Sequence, residues 1–214
     1  MGKEDGREAR KDASRARLIT AGFALLKSDG AEALTMRGLA AAANMAPATA
    51  YNVFGSKQAL FEAMFNHLND QGPEGRLADL PGDDLDKVLA ITDQITRDWI
   101  NPNGPHRVLF EASKVSGSLA SILFPKVLPR LITLVQHLQS SNLITTEVAT
   151  SDLANRIAYA NAGLFEAWLD SRVTDEALAR EHRLNLLVPL FAVATLEYRG
   201  RFKAELAKTL GDQE

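Results

Sequence analysis

Arg37, Thr49, Tyr51 and Lys57 are polar side chains set in a stretch that is otherwise poor in large apolar residues. A guanidinium can make two parallel hydrogen bonds to a phosphate or to the edge of a guanine, so Arg37 is suited to either. The hydroxyls of Thr49 and Tyr51 suit phosphate oxygens better than base edges, and the Lys57 ammonium neutralises a phosphate as a point charge. Between them lies "PATAYNVF" (47–54), in which Pro47, Ala48 and Ala50 are small enough to let a backbone approach a groove. Pro47 or Ala48 would then meet a thymine methyl group, the apolar form of base readout.

Three short helices must position these groups. Residues 13–28 place Ile19, Phe23 and Leu26 on one face, and Gly30 ends the run. Thr35 is expected to cap a second helix in which Met36, Leu39, Ala40 and Ala43 recur at helical spacing. Asn44 tolerates the left-handed backbone of a tight turn, Pro47 suits the first position of a third helix, and Gly55 stops it. Ser56 then caps a helix that carries Lys57 in its first turn, where backbone N–H groups also face outward. Two short helices joined by Asn44–Ala46, with a longer one behind, have the layout of a helix-turn-helix. Spacing alone also fits an ordinary three-helix cluster in which Tyr51 covers a core edge and Thr35 is only a cap.

The ordered motif Leu34-Thr35-Met36-Arg37-Gly38-Leu39-Ala40, then Ala43 to Phe54, then Ser56-Lys57 and Leu60 resembles the N-terminal domain of the TetR family. The resemblance covers about residues 13–65. It implies phosphate contacts by Thr49, Tyr51 and Lys57, with Arg37, Pro47, Ala48 and Asn52 where base-contacting residues are found and Thr35 beside them. Phe54 is assigned to the small core. Three positions depart from the family pattern: Asn44 replaces the turn glycine, Ala46 the usual capping serine, and Val53 a residue that is often aromatic or histidine.

Composition agrees with this division. Residues 1–57 hold nine Lys/Arg against six Asp/Glu, whereas 58–214 hold fifteen against twenty-one. A basic head on an acidic body fits a nucleic-acid module joined to something else. The chain has 214 residues and no cysteine, which fits a reducing, cytoplasmic setting without disulfides or thiolate metal sites. No apolar run is long enough to span a membrane, and the charged start lacks the apolar core of a secretory signal. The expected organisation is all-α: a flexible arm over 1–12, the helix-turn-helix domain over 13–57, a connecting helix over 58–70, and a larger helical ligand-binding and dimerisation domain over 71–214. Within the last, 71–84 reads as linker, and helices are predicted over 84–100, 106–117, 125–140, 151–171 and 176–209, with a kink at Pro189.

The body should pair two heads, since one helix-turn-helix makes few base contacts and half-sites lie about 34–36 Å apart. Helix 151–171 has a second apolar stripe of Ala158, Ala162, Phe165 and Leu169, and the segment 184–205 adds Leu187, Phe191, Ala194 and Tyr198. An isologous homodimer through these two helices is expected; a thick core within one chain is the competing explanation. In the family the body holds a pocket whose ligand changes the spacing of the heads. Trp99, His106, Phe110, Glu111, Phe124, His137, Tyr159 and Asn161 combine aromatic surface with a few polar groups, as an apolar ligand would need, though each also reads as core or exposed surface. The four histidines lack metal-ligand spacing, and no cofactor is expected. Catalytic fingerprints are absent from the sequence, leaving Glu111 with His106 or His137 as the one acid–base pairing. The expected protein is not an enzyme. It is a ligand-responsive transcriptional repressor with a palindromic duplex operator and an unidentified small-molecule effector as partners; a helical RNA- or protein-binding adaptor is the other class.

Overall fold

The computed structural model describes residues 2–70, 80–113 and 119–211. Ten α-helices account for almost all of them: α1 (Gly2–Asp29), α2 (Met36–Ala42), α3 (Pro47–Phe54), α4 (Lys57–Asp70), α5 (Asp84–Ile100), α6 (Pro105–Ser113), α7 (Leu119–Ser140), α8 (Thr150–Leu169), α9 (Asp175–Ala192) and α10 (Arg199–Gly211). The fold is all-α. No described helix is long and apolar enough to cross a membrane. The stretch expected to be a linker falls mostly outside the described residues, as does the side chain of Phe124.

Two compact units share the helices. The first holds α1–α4 and also α6; the second holds α5 and α7–α10. In the first unit, Leu18, Ile19 and Leu26 of α1 close over Leu39 and Ala40 of α2, Ala50 and Phe54 of α3, and Leu60, Phe61 and Met64 of α4, all buried. Phe65 of α4 stacks on Phe110 of α6 with centroids 5.4 Å apart, which joins the later helix to this unit. A side chain at Gly22 would press on Met64 and Leu39, so the glycine sets how closely α1 approaches α2 and α4.

In the second unit the core runs through Leu85, Val88 and Leu89 of α5, Val135 and Leu138 of α7, Leu153 and Ile157 of α8, Leu186, Leu187 and Leu190 of α9, and Phe202 of α10. An ion cluster borders it. Arg183 donates to Asp93 at 2.6 Å and Glu205 at 2.7 Å, while Arg201 donates to Glu205 at 2.6 Å and also to Asp86. Burial alone would raise the Glu205 carboxyl, but the bonds from Arg201 and Arg183 outweigh it and hold the group below its ordinary range.

Three helix limits differ from the sequence expectation. The first helix starts at Gly2 rather than 13, taking in the segment expected as an arm, since its Arg, Lys, Glu and Ala residues favour helix even without an apolar stripe. α7 begins before Pro125 and carries Pro125 and Pro129 inside it. The expected helix 176–209 is two helices. Pro189 remains within α9, and the break comes at Val193–Tyr198, where Thr145 N–H donates to the Val193 carbonyl at 2.8 Å and Thr195 N–H to the Leu143 carbonyl at 3.1 Å. Hydrogen bonds to the α7–α8 loop of the same chain replace helical bonding there.

Candidate nucleic-acid interface

The turn between α2 and α3 is built as its residue types dictate. Thr35 has an extended backbone, and its Oγ1 accepts from the Gly38 N–H at 2.9 Å, satisfying one of the donors left open at a helix start. Gly38 has no room for a side chain: a Cβ there would lie 2.5 Å from the Ala33 carbonyl oxygen. After Ala43, Asn44 takes φ of 54°, the left-handed conformation that a short amide side chain tolerates. α3 then begins at Pro47 behind Ala46, which contributes no side-chain cap. Gly55, with φ of 76°, closes α3, and Ser56 Oγ accepts from the Ala59 N–H at 3.1 Å to start α4.

Two arginines of α1 brace this turn. Arg17 donates from Nη2 to the Ala43 carbonyl at 3.1 Å, and the Arg15 guanidinium lies 5.3 Å from the centroid of Phe54. The C-terminal end of α2 and that of α3 are thereby each held against the long helix.

The exposed face of α3 carries Pro47, Ala48, Tyr51 and Asn52, with Thr49 half-buried. Tyr51 keeps half of its surface in solvent, which a residue covering a core edge would not. Arg37 and Thr35 are exposed at the start of α2, and Arg37 has no ion-pair partner among the described residues. Lys57 is half-buried, its ammonium 5.7 Å from the centroid of Phe61, so the aromatic ring steadies the charge at the start of α4. One small residue is misplaced in the sequence reading: Ala50 is fully buried, because it sits on the side of α3 that packs on the unit's core. It keeps α3 close to its neighbours and takes no part in the outer face.

Residues 18–64 match the family model for bacterial regulatory proteins of the tetR family. The head is a tetR-family domain. The match covers this domain and not the body, for which the solved structures provide the comparison. The chain is similar to a TetR-family transcriptional regulator from Pectobacterium atrosepticum, at 17% identity and TM-score 0.65 over 87% of this chain and 97% of that one. It is similar to SmeT, the repressor of the Stenotrophomonas maltophilia multidrug efflux pump SmeDEF, at 17% identity and TM-score 0.62 over 85% and 91%. A third likeness is to RolR in complex with resorcinol, at 16% identity and TM-score 0.63 over 91% and 94%. At these identities the likenesses show the fold. No match was found among curated protein sequences.

Beyond the tetR-family domain, the expected pocket residues separate into small local clusters. In the first unit, Phe110 is buried under Phe65, His106 lies 6.1 Å from it, and Glu111 pairs with Arg107 at the surface. In the second, Asn161 accepts from Asn185 at 3.0 Å, Tyr159 is largely exposed, and His137 Nε2 stands 3.1 Å from Asp84 without hydrogen-bond geometry. Trp99 packs edge-on against Phe165 and stacks on His182, each at 5.1 Å. His182 was not among the expected residues. Burial pushes its imidazole down to about 4, and Nδ1 lies 2.7 Å from the Thr96 hydroxyl. Its neighbours in sequence are charged, and the signal that marks it as buried is Leu178 and Leu186, four residues to either side on the same face of α9.

The expected dimer residues also need correction. Leu187 is fully buried, and Ala158, Phe165 and Leu169 are nearly so, because α8 and α9 spend that side on the chain's own core. Such residues have no surface left for a partner. Ala162, Phe191, Ala194 and Tyr198 are half-buried, with Ala194 and Tyr198 in the break between α9 and α10.

Proposed function

We propose that the protein is a ligand-responsive transcriptional repressor whose dimer reads a palindromic duplex operator and is released by a small, mainly apolar effector. The observation that carries the reading is the outer face of α3. It combines small residues at its start with hydroxyls and an amide further along, inside a domain that matches a family of bacterial regulators. Small side chains let the helix enter the major groove, where Pro47, Ala48 and Asn52 meet base edges. Thr49, Tyr51, Lys57 and the capped start of α2, with Thr35 and Arg37, bind phosphates or a flanking guanine.

The dimer uses the outer faces of α8 and α9 in place of the buried stripe. Ala160 and Gly163 of α8 are exposed, as are Val188 and Ala192 of α9. A Cβ at Gly163 would meet nothing within 4 Å in the chain, so the chain's own packing does not require glycine there. Glycine inside a helix costs about 1 kcal/mol relative to alanine, and a close approach by a second copy accounts for it.

The body is assigned the effector. SmeT has been solved with triclosan and RolR with resorcinol, both small aromatic molecules, and the aromatic cluster of Trp99, Phe165 and His182 has side chains of the kind that pack on that class. Selection from random duplexes at moderate salt tests the central reading. Recovery of a palindromic sequence is expected, and recovery of no preferred duplex overturns it. Addition of aromatic compounds to the selected complex then tests release.

A further inference from the structure

We infer that the first turns of α1 form a second phosphate-binding element, a basic stripe that grips the duplex backbone beside the half-site read by α3. The inference rests on the DNA-binding function proposed above and extends it to residues outside those matched by the family model, which begins at residue 18.

The charges of this segment are sorted by side. Projected at 100° per residue, Arg7, Arg10 and Lys11 fall on one flank of α1, together with Ser14 and Arg17, whereas Glu8 and Asp12 fall on the other. All five charged groups from Arg7 to Asp12 are exposed. Arg7, Arg10 and Lys11 have no ion-pair partner among the described residues. Glu8 and Lys11 are three residues apart yet form no ion pair, so the three cations, within one arc of about 100°, keep their charge.

Two contacts fix which way that line faces. Leu25 approaches Gly38 at the start of α2: a Cβ on the glycine would lie 3.6 Å from Leu25 Cδ2. Eight residues earlier in α1, Arg17 bonds the Ala43 carbonyl at the end of α2. The two helices therefore run in opposite directions, and α1 continues toward its start past the turn at Asn44–Ala46. That turn leads directly into the exposed start of α3. Arg17 belongs to the basic flank, so this flank is the one on the side of the turn. Three unneutralised cations on the side of the turn that opens the reading helix match the chemistry of a phosphate backbone and of no apolar partner.

The test uses the full chain and the selected operator duplex. R7A/R10A/K11A keeps the helix, since alanine favours it. The slope of log affinity against log salt is expected to fall by about 0.9 for each cation, about 2.7 for each subunit and about 5.4 for the dimer. Between about 50 and about 200 mM salt the variant dimer then loses roughly 2,000-fold less affinity than the wild type. Base preference in a repeated selection stays the same. E8Q/D12N alters net charge on the opposite flank and is expected to leave the slope unchanged. An unchanged slope in the triple variant overturns the stripe while leaving the function standing. An equal and opposite change in E8Q/D12N also overturns it, as a net-charge effect. Failure of the wild type to bind any preferred duplex removes both the function and the stripe.

Discussion

His182 Nδ1 lies 2.7 Å from the Thr96 hydroxyl, which itself donates to the Thr92 carbonyl at 2.9 Å. With that proton committed, the pairing is satisfied by a protonated Nδ1 of the neutral ring, and burial opposes any second proton. The folded-state value is depressed from 6.5 to about 4, so the unfolded chain binds more protons between these limits. The His182 contribution to stability is full above about pH 6.5, declines as pH falls toward about 4, and levels off below. Its full size is about 3 kcal/mol. Urea unfolding at a series of pH values should show the decline, and His182→Gln should lessen it. Glu205 and Asp84, both depressed carboxyls, lose stability at lower pH still and are common to both proteins.

Gly38→Ala should disable the head. The added Cβ meets a backbone carbonyl that cannot move without carrying Ala33 and the start of α2 with it. Overpacking of this kind costs about 1–3 kcal/mol. Thermal unfolding should report the loss, and duplex binding should weaken with it. A variant as stable as the wild type contradicts the geometry.

Lys57→Ala should weaken binding to all duplexes alike and lower the salt slope by about one unit for each subunit of the bound dimer. Tyr51→Phe should act in the same sequence-independent way without altering the slope. Arg37→Ala separates its two possible roles: a phosphate contact behaves like Lys57, whereas a guanine contact relaxes preference at one position by about 1–3 kcal/mol. Fluorescence anisotropy over a salt series, on the operator and on single-base variants of it, distinguishes them.

Gly163→Arg should leave each chain folded, since open space surrounds the position, and should separate the dimer. Sedimentation would show the mass of one chain, and operator affinity should fall by about 100-fold or more as the two half-sites are uncoupled. A dimer that survives this substitution places the interface elsewhere.

The local signals in the sequence were reliable because they are local. Thr35, Ser56, Asn44 and Gly55 act through bonds and backbone angles within a few residues, and each is found in the role its type suggests. What escaped was set at a distance. Ala50 looks like its exposed neighbour Ala48, and only the packing of α3 decides that one is buried. Leu187 and Val188 are adjacent and similarly apolar, yet one fills the core and the other faces solvent. The division of 176–209 into two helices depends on bonds to Leu143 and Thr145, far away in the chain. Pocket residues were the least legible, since an apolar wall and an apolar core use the same side chains.

The missing cap at Ala46 leaves the protein's reading helix with room for improvement that a sequence under selection for stability alone would have filled. Ala46→Ser would add an acceptor for the open amides and stabilise α3 by about 1 kcal/mol, which urea unfolding can measure. Asp would cap as well, but would set a negative charge where phosphates approach. Position 46 thus separates fitness for folding from fitness for binding in a single side chain, and alanine is the residue that commits to neither.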